Sequence, residues 1–63
     1  MKKKDIEKKL KKSGWWLARH GSNHDIWTNG HITNQLPRHA EVNELLARGI
    51  IKIAEQNPGE DKR

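Results

Sequence analysis

The dipeptide Asn29-Gly30 limits what this 63-residue chain can fold into more than any other pair. Both residues tolerate the positive φ that a two-residue type I′ turn demands, so the pair reads as the close of a β-hairpin. Asp25–Thr28 before it and His31–Leu36 after it then read as strands. Pro37 has no N–H to give to a ladder and ends the later strand. Upstream, Trp15–Arg19 is aromatic and apolar, and the stretch between Gly14 and Gly21 is too short for a helix. It reads as a first strand, with His20–Asn23 as the turn into the second.

A two-residue turn predicts that Thr28 faces His31 and Trp27 faces Ile32. Trp27, Ile32 and Leu36 would share the core face, and His24, Ile26, Thr28, His31 and Thr33 the other. A slip of one residue would invert the assignment. Trp15 and Leu17 are expected in the core, with Trp16 and Ala18 opposite. An outward Trp could stack on a base or meet a protein partner.

Helices flank the three strands. Lys2–Ser13 is rich in good helix formers and sets Ile6 and Leu10 four apart on one face. Glu7 and Lys11 have a favourable spacing on the outer face, and Gly14 suits the left-handed position that ends a helix. Seven lysines (2, 3, 4, 8, 9, 11 and 12) read as a solvated face or as a landing strip for phosphates. Ala40–Asn43 leads into a second helix with Asn43 as N-cap and Glu44 in its first turn. Leu46, Ile50, Ile53 and Ala54 follow helical spacing, and Gly49 weakens this helix by about 1 kcal/mol relative to Ala. From Asn57 on nothing is available to bury, so a frayed end is expected. The reading is a single domain over 1–57 and a flexible tail over 58–63.

The order α-β-β-β-α gives an α+β fold, a three-stranded antiparallel sheet with both helices on one face. It resembles the double-stranded-RNA-binding domain. A chain this short buries only about 60% of its unfolded surface, so its core is marginal. Cysteine is absent, which excludes disulfides and thiolate metal sites and fits a cytoplasmic compartment. No apolar run approaches the ~18 residues of a membrane span. Thirteen Lys and Arg against eight Asp and Glu leave +5, which favours an anionic partner such as nucleic acid, membrane headgroups or an acidic protein.

Four histidines carry most of the available chemistry. As metal ligands they are poorly arranged: Gly21 breaks the helical geometry that His20 and His24 would need, and structural zinc prefers a closed set of four N or S ligands. Ser22 lies two residues from His24, but no buried Asp is placed by the sequence to orient that imidazole, and so short a domain hardly encloses a substrate pocket. Acid–base chemistry on RNA asks for less. RNA supplies its own nucleophile, the 2′-OH, and one imidazole with cations nearby can move the proton. His24 at the mouth of the hairpin meets that need without metal or cofactor. Gly21 would let a phosphate approach the backbone, and Ser22 or Asn23 could donate to its oxygens. A structural or merely exposed histidine fits the same residues.

Two blocks then identify a resemblance. SGWWLARHGSNHDIWTNG, residues 13–30, and LPRHAEVNELLARGIIK, residues 36–52, resemble the two signature regions of the HicA toxin family, and the likeness extends over about Ile6–Ile53. It implies the double-stranded-RNA-binding-like fold, an mRNA interferase activity, and neutralisation by a HicB-like antitoxin in a heteromeric complex, the free chain's oligomeric state staying open. It also implies that His24, the last residue of Gly-Ser-x-His, is the essential histidine, with Gly21 and Ser22 as motif positions. Pro37, Arg38 and His39 match the second block. There Arg38 is a candidate for phosphate binding, and His39 for that or for fixing the start of the second helix. Asn34 stands where the family often has an apolar residue, and Gly49 where it has a helix former. The group that protonates the leaving oxygen stays open among His20, His31, His39, a lysine and water, and His20 reads as a surface histidine. Two other readings compete: a non-catalytic RNA-binding module, and a protein-interaction domain presenting Trp16 and Ile26. The stretch Ala40–Ala47 carries Glu41 and Glu44 but no lysine, which disfavours the former, because such modules usually cluster lysines at the start of their last helix.

Overall fold

A computed structural model describes residues 1–59. Helix α1 (Lys3–Lys12) is followed by β1 (Trp16–His20), β2 (His24–Thr28), β3 (Thr33–Pro37) and helix α2 (Glu44–Gln56). The strands form an antiparallel meander in the order β1-β2-β3. The expected α-β-β-β-α architecture is therefore what forms. The helices pack against one sheet face around Ile6, Leu10, Trp15, Trp27, Leu36, Val42, Ala47, Ile50 and Ala54.

Each helix forms for a local reason and is held by its buried stripe. In α1 only Ile6 and Leu10 are fully buried, and the chain leaves it through Gly14 at φ +87°. In α2 the Asn43 side chain accepts from the N–H groups of Leu45 and Leu46, the N-cap expected from sequence. Its buried stripe is Ala47, Ile50 and Ala54, whereas Leu46 and Ile53 lie on the exposed rim. Asn34 uses its polar end here, donating from Nδ2 to the Ile50 carbonyl at 3.2 Å and tying β3 to α2.

The hairpin closes differently from the expectation. Thr28 pairs with Thr33 and Trp27 with Asn34, so the loop is Asn29–Ile32, four residues rather than two. Only Gly30 takes a positive φ, at +98°, so no type I′ turn forms. Asn29 acts through its side chain instead. Its buried Oδ1 accepts from the N–H groups of His31 and Ile32 at 2.8 and 2.9 Å, the local bonding that makes asparagine a turn residue. The register moves by two residues, so facial parity survives: Trp27 and Leu36 are buried, and His24, Ile26 and Thr28 occupy the opposite face. Ile32 leaves the sheet, lies in the loop and is exposed, as does His31.

In β1 the register shifts between Leu17 and Arg19. A bulge of this kind re-aims the side chains beyond it. Leu17 stays at the exposed edge, Arg19 pairs opposite Ile26, and His20 pairs opposite Asp25. Trp15 is buried ahead of the strand and Trp16 is half-buried.

The end of α2 is tied down. The Asn57 carbonyl accepts from Trp15 Nε1 and from Asn29 Nδ2, each at 2.9 Å, and the Gly59 N–H donates to the Ser13 carbonyl at 2.7 Å. Asn57 is thus bonded where fraying was expected, because one carbonyl supplies the partner that two buried donors need. Residues 60–63 of the expected tail lie outside the described residues. At the other end of the chain, Met1 and Val42 exchange backbone bonds and the Lys3 N–H donates to the Ala40 carbonyl, which fixes α1 beside the approach to α2.

Asn29 thus closes the hairpin and joins it to α2. Asn29→Ala is expected to lower unfolding free energy by about 2 kcal/mol, the scale for buried groups left without partners. Asn29→Asp keeps the acceptor for the loop but sets a buried carboxylate oxygen against the Asn57 carbonyl, so it should recover little of that loss in urea titrations.

Candidate active site

The sheet brings the two sequence blocks into one corner. β1 ends at His20 and β2 begins at His24, leaving Gly21-Ser22-Asn23 as a three-residue loop. The Gly21 N–H donates to the His24 carbonyl at 2.7 Å. A Cβ on Gly21 would stand 2.9 Å from that same oxygen, so this closure requires glycine. Ser22 and Asn23 are exposed at the tip. On the other side of β2, His24 lies opposite Pro37, the last residue of β3. Arg38 follows and turns back across the corner.

Asp25 lies at the centre of this corner. Its alternation with His24 sends its side chain to the helix side, where the residue is 3% exposed. Oδ1 receives His20 Nδ1 at 2.8 Å and Arg38 Nε at 3.1 Å, and Oδ2 receives Lys3 Nζ at 2.9 Å. A terminal nitrogen of Arg38 also donates to the Gly21 carbonyl. Lys3 bonds Glu7 at 2.6 Å as well, so it leaves the solvated lysine face, and Glu7 is paired one turn back rather than with Lys11. Burial pushes the Asp25 carboxyl up, but the His20 and Lys3 contacts outweigh it and hold it down at about 2. Lys3 is pushed up from its ordinary value, chiefly by the hydrogen bond to Glu7.

The candidate residues therefore divide by position. His24 is half-buried on the open sheet face, its ring making no hydrogen bond to the described residues. Gly21, Ser22 and Asn23 form the loop beside it. Arg38 braces that loop from below. His39, next in the chain after Arg38, is exposed. His20 is exposed as a ring, yet its Nδ1 is fixed by a buried carboxylate, so it is more than a surface histidine. Asp25 is the residue that reading the sequence missed. It adjoins His24 in an alternating strand, but only the bulge in β1, which sets His20 opposite it, and the return of Arg38 reveal its partners. Among the described residues no three His, Asp or Glu side chains gather as a metal-ligand set.

A carboxylate held at about 2 when folded and near 3.8 when unfolded binds its proton more weakly in the native state. Its contribution, about 2 kcal/mol, is complete above pH 4 and lost as pH falls through 2. Urea midpoints measured from pH 5 to pH 2 should fall with that component in the native chain. Asp25→Asn, less stable at pH 5, should lack it.

A family model described as the HicA toxin of bacterial toxin-antitoxin systems matches residues 4–56, which include both helices, all three strands and both blocks. No curated protein and no solved structure matches. On the extent of that match, the chain belongs to the HicA toxin family.

Proposed function

We propose that this chain is an endoribonuclease, an mRNA interferase, that cleaves RNA by proton transfer at His24 without a metal ion. A HicB-like antitoxin is the partner that would neutralise it. The observation that carries the reading is the convergence of the two blocks: His24 lies opposite Pro37, and Arg38 reaches back to the Gly21 carbonyl and Asp25. Residues separated in sequence thus frame one histidine whose ring is not consumed by an internal bond.

The chemistry asked of the site is small. The RNA 2′-OH is already positioned next to the phosphorus it attacks. What remains is to take its proton, hold the phosphate and supply positive charge for the pentavalent transition state. Ser22 and Asn23 at the loop tip can donate to phosphate oxygens. Arg38 holds the loop and lends its charge. The exposed lysines of α1 would attract the backbone over a longer range, an effect that weakens with salt.

His24→Ala should reduce RNA cleavage by at least about 10²-fold, the lower range for a lost proton-transfer group. Activity of the wild-type chain should persist in EDTA. In cells, expression of the wild-type chain should arrest growth and His24→Ala should not. Equal cleavage by the two proteins, or cleavage abolished by EDTA and restored by added metal, would overturn the mechanism.

A further inference from the structure

We infer that His20 is the second proton-transfer group of the site, the one that protonates the leaving oxygen, an inference that rests on the ribonuclease reading above. The observation behind it is the contact between His20 Nδ1 and Asp25 Oδ1 at 2.8 Å. Asp25 is ionised and buried, so it can only accept. Nδ1 therefore donates, which fixes both the ring's orientation and the nitrogen left for chemistry. That nitrogen is Nε2, on a side chain that is 65% exposed. A histidine pinned at one nitrogen by a buried carboxylate, with the other nitrogen open, is the arrangement that orients an imidazole for proton transfer. A histidine serving only solubility has no need of it.

The position of His20 suits the geometry of the reaction. Attack of a 2′-OH on phosphorus is in-line, with entering and leaving oxygens on opposite sides. A base and an acid on one side could not serve both. His20 and His24 flank the same three-residue loop, on strands about 5 Å apart. They belong to opposite faces of the sheet: His20 pairs with inward-facing Asp25, and His24 sits on the open face. A phosphate resting on the tip at Ser22 and Asn23 would lie between them. His24 takes the 2′-OH proton as the O2′–P bond forms. The P–O5′ bond breaks, and the proton on His20 Nε2 passes to O5′. The products are a 2′,3′-cyclic phosphate and a 5′-hydroxyl. His20 ends neutral and His24 protonated, and the two return to their starting states by exchange with water.

The test compares two short RNAs, one ordinary and one with the 5′-bridging oxygen at the cleaved bond replaced by sulfur. A thiolate leaves without being protonated, so the second RNA needs no acid. His20→Ala should cleave the ordinary RNA about 10²-fold more slowly than the wild-type chain and approach the wild-type rate on the sulfur-bridged RNA. His20→Asn can keep a bond to Asp25 through its amide but has no Nε2, and should behave like His20→Ala. Normal cleavage of the ordinary RNA by His20→Ala, rescue by His20→Asn, or an equal defect on both RNAs would overturn the inference and leave His20 with a structural role or none. His24→Ala tests the parent reading separately. It should be slow on both RNAs, and its full activity would remove His24 as the base while the His20 comparison still stands. A wild-type chain that cleaves neither RNA would overturn both.

Discussion

The Asp25 carboxylate is the interaction around which the candidate site of this molecule is assembled. One buried side chain receives a lysine from α1, a histidine from the end of β1 and an arginine from beyond β3. Without it, Arg38 and His20 would lose the carboxylate they share, and Lys3 would keep only Glu7. With it, the start of the chain, the hairpin loop and the segment leading to α2 are held to one point. Its partners are only partly buried, so the cluster keeps some solvation and avoids the full cost of an isolated buried ion pair. The ionised state of Asp25 is therefore a condition of the geometry that surrounds His24.

A second junction operates at the other end of the sheet. The Asn57 carbonyl takes bonds from both Trp15 and Asn29, which connects the first helix's exit, the long hairpin and the end of α2. Between the two junctions lies a small core with two fully buried side chains on α1 and two alanines among the buried residues of α2. So little apolar area leaves a narrow margin, and polar bonds at the corners then decide where the loops sit. The Trp27 Nε1–H, buried without a hydrogen-bond partner among the described residues, draws on the same margin.

The elements and their order were legible because glycine, proline and Asn-Gly cut the middle of the chain into pieces too short for anything but strands. Facial parity on β2 and β3 was legible too, since a shift of two residues leaves it unchanged. What escaped was set by side chains acting at a distance. Asn29 could be read as a backbone turn former, but its value lies in an amide that bonds its own loop and a carbonyl 28 positions later. Ile32 followed the strand pattern and still fell in the loop, because that amide prefers four residues to two. His20 looked like a surface residue because nothing in sequence announces the bulge after Leu17 that sets it opposite Asp25. Asp25 itself read as an ordinary strand position, since its partners come from positions 3, 20 and 38. Of the site, His24, its loop and Arg38 were visible through resemblance to the family, whereas the carboxylate that joins them was not.

Family membership, the corner around Asp25 and the unencumbered His24 lead to one chemical claim: the RNA's own 2′-OH is the nucleophile. The chemical ends of the cleaved RNA report on that claim directly. Incubation of a defined RNA with the purified chain in EDTA, followed by mass spectrometry of the fragments, should yield 2′,3′-cyclic phosphate and 5′-hydroxyl termini. Fragments ending in a 3′-hydroxyl and a 5′-phosphate would mean that water attacked instead, and would contradict the account.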